Sequence, residues 1–389
     1  MSTTTIAAEQ RAGGSGEAPQ STMAVRVFEH GGPEQLLYGE YPLEQPGPGD
    51  VVVKVMASTV SGWDVKYRVG LSATFSLPGR AFFPLPQQLG RDAAGEVIAV
   101  GSEVERFKVG DRVLGVIHPQ NPDSREALRG LGNLATGVQT PGHQSLGSNA
   151  QYLVRAENLW LPIPEGVSYE QAALVLWPFS TAHRVVTERL QVGLGQTVII
   201  GGVSGGMGIA TAQLAHLAGA RVIGLTRSAA KADTLKQLGM IDEAVVSDDP
   251  DATRQRLREL TDGYGAEHAV DYTGSHELLP VLVGALALGG RLAVTSGEQR
   301  AEKLPILVPD FMRLELSVLG VRAAQASDAY VVRQLLASGR ITMPVAARFA
   351  LANTREAHAW FERDRDQVGR IILDPWKDPT TPDGATVSN

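Results

Sequence analysis

Short apolar runs broken by glycine- and proline-rich turns fill the first third of the chain. Residues 23–28, 50–57, 94–100 and 112–116 read as strands. Pro46-Gly47-Pro48-Gly49-Asp50 and Val109-Gly110-Asp111 read as the turns between them. Strands at such spacing with that punctuation predict a β-rich domain. A long irregular segment, 117–148, follows; loops of this length are usually functional or poorly ordered. From about Glu165 the period changes. Helical patterns at 170–175, 181–189, 208–218, 229–238, 251–261 and 276–288 alternate with apolar runs at 197–200, 221–225, 243–247, 269–272, 291–295 and 316–321. That alternation predicts an α/β unit with a parallel, doubly wound sheet. A helix over 328–337, a run at 344–349 and a last strand at 369–373 are expected to return to the first domain.

Inside this pattern, Thr197-Val198-Ile199-Ile200 breaks into Gly201, Gly202, Gly205, Gly206 and Gly208 before helix formers resume at Ile209. Strand, glycine turn, helix, strand is the unit that seats a pyrophosphate on a helix N-terminus, where backbone amides lack intrahelical partners and the dipole favours negative charge. The spacing is Gly202-x-x-Gly205-x-x-Gly208 rather than G-x-G-x-x-G. The flanking strand and helix make it far more specific than glycines alone.

Composition narrows the class. The 389 residues are 43% hydrophobic and 20% charged with a net charge of −7, an ordinary globular balance at a length that suggests two domains. The mild acidic excess argues against nucleic-acid binding. No run approaches the ~20 apolar residues that span a bilayer. Residues 1–22 lack the basic start and apolar centre of a secretion signal and read, with 377–389, as flexible tails; the cytoplasm is the expected compartment. The chain has no cysteine, so no disulfide, thiol nucleophile or cysteine-ligated zinc can form.

Four segments carry a resemblance to a known family: Gly90-Arg91-Asp92-Ala93-Ala94-Gly95-Glu96-Val97, Val109-Gly110-Asp111-Arg112-Val113, the glycine loop, and Ala287-Leu288-Gly289-Gly290-Arg291-Leu292. Together, over about residues 23–375, the chain resembles the medium-chain dehydrogenase/reductase superfamily. The resemblance implies an α/β fold: a Rossmann domain (165–323) inserted into a partly barrel-like, GroES-like β-rich domain (23–164 and 324–376), with cofactor and substrate in the cleft between them. It also implies a homodimer, joined at the sheet edge near 316–321. The zinc branch of the superfamily has Cys-Gly-x-Asp, where Ser61-Gly62-Trp63-Asp64 stands, and Gly-His-Glu, where Gly90-Arg91-Asp92 stands. Trp177 fills the place of its third ligand. Serine, arginine and tryptophan do not make a zinc site, so no metal is expected. Asp64-x-x-x-Arg68-x-Gly70 and Val203-Ser204-Gly205-Gly206-Met207-Gly208 instead resemble the zinc-free quinone-oxidoreductase and enoyl-reductase branch. More loosely, 117–164 is similar to crotonyl-CoA reductase/carboxylases.

The second strand of the nucleotide unit ends Thr226-Arg227-Ser228, with Lys231 one turn on and no carboxylate for ribose hydroxyls. Arg227, Ser228 and Lys231 can donate to a 2′-phosphate, which favours NADPH. Thr181, Gly202, Ser204, Gly205, Gly206, Met207, Gly208, Thr273, Ser296 and Gly297 complete the expected cofactor set. Without a metal, reduction of a C=C conjugated to a carbonyl asks for least: hydride goes to the β carbon, and one or two donors hold the enolate. Ser61, Lys66, Tyr67, Arg91 and His183 are the candidate donors, with Trp177 and Trp63 as pocket walls. Each has a plainer alternative: a solvated Lys66, packed Tyr67 and tryptophans, a structural His183, and an Arg91 paired with Asp64 or Asp92. The expected substrate is a small, apolar enone, enoyl thioester or quinone, with cyclisation as a further possibility. The alternatives are one-electron quinone reduction and a non-catalytic NADPH-binding scaffold.

Overall fold

The apolar runs sort into three sheets. The structure, a computed structural model, describes residues 16–71, 84–247, 249–296, 308–363 and 367–381. The strands before the glycine loop are β1 (Ser21–Val27), β2 (Leu36–Pro42), β3 (Asp50–Val60), β4 (Gln87–Gln88), β5 (Ala93–Val100), β6 (Arg112–Gly115), β7 (Tyr152–Ala156) and β8 (Trp160–Pro162). Next come β9 (Thr197–Gly201), β10 (Arg221–Thr226), β11 (Glu243–Val246), β12 (Ala266–Asp271), β13 (Leu286–Val294) and β14 (Ser317–Gly320). The chain closes with β15 (Val345–Ala350) and β16 (Arg370–Asp374).

Strands β9 to β14 form one parallel sheet in the order β11-β10-β9-β12-β13-β14. This is the doubly wound order, with its crevice beyond the carboxyl ends of β9 and β12. The GroES-like lobe is a seven-stranded sheet, β15-β16-β3-β5-β6-β8 with β7 also on β3, beside a small sheet β2-β1-β4. Ile371, Ile372 and Leu373 of β16 pair antiparallel with Val60, Thr59 and Ser58 of β3, so both chain ends build one lobe.

One helix joins the two lobes. Tyr169–Arg184 buries Leu174, Val175 and Phe179 in a core that includes Ala57, Ala94 and Leu114 from one sheet and Val198 and Ile200 from the other. The sequence pattern gives two helical segments, 170–175 and 181–189, with a gap between them; the structure runs straight through that gap, Pro178 included. Burial of nearly every side chain from Ala172 to Ala182 overrides the local cost of an interior proline. A π-helical turn, Val185–Leu190, follows.

Other boundaries shift for readable reasons. The helix expected over 276–288 is only Leu278–Gly284, because β13 already pairs at Ala266↔Leu286 and resumes at His268↔Arg291 across a bulge. Four helices of the described residues carry no sequence expectation: Gly62–Arg68, Arg125–Leu128, Val308–Leu314, and Thr354–Arg363, which buries Thr354, Ala357 and His358. The expected tails are shorter than 1–22 and 377–389. Thr22 already lies in β1, and Asn353 donates to the Pro379 carbonyl at 3.1 Å; residues 1–15 and 382–389 lie outside the described residues. No helix of the described residues is long and apolar enough to cross a membrane.

A buried ion pair lies where the joining helix packs on the GroES-like lobe. Arg370 donates to Asp92 Oδ2, to Thr59 Oγ1 at 2.8 Å and to the Leu174 carbonyl at 2.9 Å. Truncating one partner of a buried pair leaves the other charged and unpaired, at about 3–5 kcal/mol. Arg370→Met is therefore expected to lower the urea midpoint strongly, and Asp92→Asn in the same chain to recover part of the loss. Additive losses would show that the pair contributes nothing jointly.

Two buried histidines set an acid limit. Burial pushes His268 down to about 4, with Arg291 adding to it, and pushes His358 down to about 3, with Arg68 adding to it. Both are neutral when folded, whereas an unfolded histidine titrates near 6.5. The unfolded chain therefore binds more protons below pH 6.5, and this stability is lost as pH falls towards 4. The stability difference between wild type and His358→Gln is expected to shrink across that window in denaturant titrations.

Candidate active site

The glycine loop is shaped by backbone needs. Gly202 adopts φ +76°, a left-handed value suited to glycine. A Cβ on Gly208 would lie 2.4 Å from the Gly202 oxygen and 2.5 Å from Val203 Cα, so only glycine lets the helix start this close to β9. Helix Gly206–Leu217 begins at Gly205 without a side-chain cap, so its first amides stay open to an anion. Gly369 donates to the Ser204 carbonyl at 3.1 Å, and the stem of Arg370 packs against Gly206. The loop thus rests on the other lobe. Met207 sits in the first turn, where its carbonyl accepts from Thr211 at 2.9 Å.

At the end of β10, Thr226 Oγ1 accepts from the Ser228 amide at 3.2 Å, and Ser228 Oγ caps helix Ala229–Gln237 by accepting from the Lys231 amide at 3.3 Å. Arg227 is exposed and has no hydrogen bond or ion pair among the described residues. At the end of β12, Asp271 accepts from the Thr273 amide at 2.9 Å, its hydroxyl at 2.7 Å and the Gly274 amide at 3.0 Å. Burial pushes the Asp271 carboxyl up and these bonds oppose it. Thr273 is therefore a strut of this turn, with its methyl beside Gly202. Thr181 Oγ1 is buried without a partner, an open position on the joining helix. Gly297 lies outside the described residues. The open amides, the glycine cradle, Arg227 and the Thr181 hydroxyl together fit a nicotinamide dinucleotide.

On the facing lobe, Ser61 caps helix Gly62–Arg68. Its hydroxyl donates to Asp64 Oδ2 at 2.6 Å and its amide to the same oxygen at 2.8 Å; the Gly90 amide holds Oδ1 at 3.0 Å. Burial pushes the Asp64 carboxyl up, opposed by these donors and by the Arg91 charge. With its hydroxyl turned to Asp64, Ser61 organises the helix and is corrected from a substrate donor to a cap. Lys66 Nζ crosses to the other lobe and donates to Ser296 Oγ at 3.1 Å, lying 4.9 Å from the Trp63 ring centre. Tyr67 is buried, stacked on His143 with ring centres 4.4 Å apart. The Arg91 guanidinium sits over Trp177 at 4.5 Å, and that of Arg370 lies 5.5 Å from the same ring. Ser61 and Arg91 thus stand by Asp64, Trp177 stacks with Arg91, and Lys66 and Tyr67 share the helix that Ser61 caps. Neither carboxylate accepts a hydrogen bond from Arg91: Asp92 Oδ2 is held by Arg370 and Thr59, and its Oδ1 is buried without a partner. His183 is not part of this group. Its Nδ1 binds Asp328 Oδ1 at 2.6 Å, which locks the joining helix to helix Ala326–Ala337.

Several site residues escape sequence reasoning. His143 comes from the irregular 117–148 segment, which is held down by Gln87 donating to the His143 carbonyl at 2.7 Å and Asn133 to the Arg322 carbonyl at 2.9 Å. The only signal for it was the length of that loop. Asp92 and Arg370 lie far apart in sequence, with no motif linking them. Among the described residues, no three His, Asp or Glu side chains form a group able to hold a metal ion.

Two family models match the chain: an alcohol dehydrogenase GroES-like domain over residues 47–165 and a zinc-binding dehydrogenase over 206–338. Ser61, Arg91 and Trp177 all lie outside the second. The chain is 30% identical over 357 residues to a quinone oxidoreductase of Pseudomonas aeruginosa, covering 90% of this chain and 98% of that protein. It is 26% identical to a Rattus norvegicus quinone oxidoreductase, over 90% of this chain and 97% of that one. Among solved structures, an NAD-dependent alcohol dehydrogenase matches with TM-score 0.81 at 33% identity, covering 90% of this chain and 99% of that chain. A crotonyl-CoA carboxylase/reductase in complex with NADP shares the fold, with TM-score 0.80 at 21% identity over 93% of this chain and 96% of that chain.

The crowding at Gly208 makes a direct prediction. Gly208→Ala must push the Gly202 carbonyl and Val203 away from the helix start. Dinucleotide affinity is expected to fall about tenfold or more in a fluorescence titration, the loss of one or two amide hydrogen bonds to an anion. Unchanged affinity would mean that the loop does not seat the pyrophosphate.

Proposed function

The chain belongs to the medium-chain dehydrogenase/reductase superfamily, in its quinone-oxidoreductase-like branch, and from that membership we propose that it is an NADPH-dependent, zinc-independent reductase of conjugated C=C bonds. The observation that carries this reading is the Arg91–Trp177 stack beside the capping Ser61. These three side chains stand where zinc-branch relatives place metal ligands, and none offers a thiolate, imidazole or carboxylate. Carbonyl reduction to an alkoxide needs a strong electrophile, whereas an enolate needs only hydrogen-bond donors.

The glycine loop would hold the pyrophosphate at the start of helix Gly206–Leu217, and the Thr181 hydroxyl would serve the nicotinamide end. Arg227, with Ser228 and Lys231, would hold the 2′-phosphate. When bound, the reduced dinucleotide supplies the hydride that adds to the β carbon of the substrate. Lys66, tethered at Ser296, and Tyr67, oriented by its stack on His143, are the donors for the enolate oxygen, and Tyr67 delivers the proton to the α carbon. Trp63 and Trp177 wall the pocket.

A second reading is a quinone as acceptor, favoured by the quinone oxidoreductases among the relatives. NADPH oxidation against a panel of enones, enoyl thioesters and quinones separates the two. Tight NADPH binding with no acceptor accelerating oxidation would instead point to a binding protein. We further propose a cytoplasmic homodimer joined through β14, which ends the nucleotide-binding sheet; light scattering in solution tests the oligomeric state.

Arg227→Ala is expected to raise the KM for NADPH about 10- to 100-fold, the worth of a charged phosphate contact. The KM for NADH should move little. Equal effects on both, or a wild-type preference for NADH, would overturn the assignment.

A further inference from the structure

Arg91 is 6% exposed, and its Nε is buried without a hydrogen-bond partner. Nearby carboxylates do not complete it. Arg370 and Thr59 hold Asp92 Oδ2, Asp92 Oδ1 accepts no hydrogen bond, and both Asp64 oxygens accept from Ser61 and Gly90. Two guanidinia, Arg91 and Arg370, share the Trp177 ring and lie near two carboxylates, Asp64 and Asp92, but only Arg370 is hydrogen-bonded to one of them. Burying a guanidinium without a hydrogen-bonded acceptor is costly, and such sites are normally completed by one.

The indole of Trp177 supports one face of the guanidinium and fixes its plane. A planar, always charged fork held this way matches a carboxylate and is poorly matched by a neutral carbonyl, which leaves the charge uncompensated. Of the two guanidinia on the Trp177 ring, Arg370 is the one whose stem packs on the glycine loop, at Gly206.

We propose that Arg91 is a specificity residue that binds a carboxylate on the substrate, so that the preferred substrates are conjugated carbonyl compounds bearing a carboxylate. This rests on the reductase reading above and narrows its substrate class.

The test uses the full chain with NADPH and one substrate pair, trans-4-oxo-2-pentenoate and its methyl ester. The readout is the acid-to-ester ratio of kcat/KM, which cancels any loss common to both. Wild type is expected to favour the acid by at least about tenfold, and Arg91→Met to cut that ratio about 100-fold, the worth of a bidentate charged pair. Arg91→Lys keeps the charge but loses the fork, so the ratio should fall about tenfold; this arm serves if Arg91→Met does not fold. A wild-type ratio near one, or a ratio unmoved by either substitution, overturns the proposal.

Binding separates this from the reductase reading. With the oxidised dinucleotide present, 4-oxopentanoate is titrated against its methyl ester, followed by tryptophan fluorescence. Acid binding that depends on Arg91, with neither unsaturated substrate turned over, upholds the anion site and overturns the reductase. Turnover without acid preference upholds the reductase and overturns the anion site. Neither turnover nor Arg91-dependent binding overturns the anion site as well.

Discussion

The architecture turns on the guanidinium of Arg370. It leaves β16, the last strand of the chain, and meets a carboxylate from the segment before β5, a hydroxyl from β3 and a carbonyl of the joining helix. Its stem supports Gly206 at the start of the nucleotide-binding helix. A single side chain therefore ties β16, β3, the joining helix and the anion-binding turn together. A buried charge has few stable arrangements, because every alternative strands a carboxylate in a low-dielectric interior.

How much of this could be read from the chain depends on the range of the interaction. The glycine loop was legible because its requirement is local: a left-handed turn at Gly202 and a close approach at Gly208. The parallel sheet was legible from the alternation of apolar runs with helical patterns. The gap expected between 175 and 181 is helical instead, because burial decided against local propensity. The pairing of Arg370 with Asp92 and the place of His143 were invisible because the partners lie across the fold. Ser61 and His183 were seen as chemistry-bearing residues, but their hydrogen-bond partners make one a cap and the other a helix lock.

Where metal relatives concentrate charge on an ion, this cleft distributes it over side chains held by neighbours. Lys66 is tethered by Ser296, Tyr67 is stacked on His143, and Arg91 lies flat on Trp177. Each cation or hydroxyl is restrained by a contact formed before any ligand arrives. Such preorganisation is what makes hydrogen-bond donors effective towards charge that develops during a reaction. It also explains the concentration of aromatic side chains: they restrain cations without neutralising them.

The pairing of β16 with β3 has a consequence for biosynthesis. Residues 58–60 meet residues 371–373, so the edge of β3 that they cover stays open until almost the whole chain has left the ribosome. The nucleotide-binding unit, whose strands are close in sequence, can consolidate during translation, while the first lobe waits as an unfinished sheet with an apolar edge. The nascent protein is thus most exposed to aggregation and chaperone capture late in synthesis. Losing the last fifteen or so residues of the folded region would leave that sheet unclosed, however intact the nucleotide-binding unit.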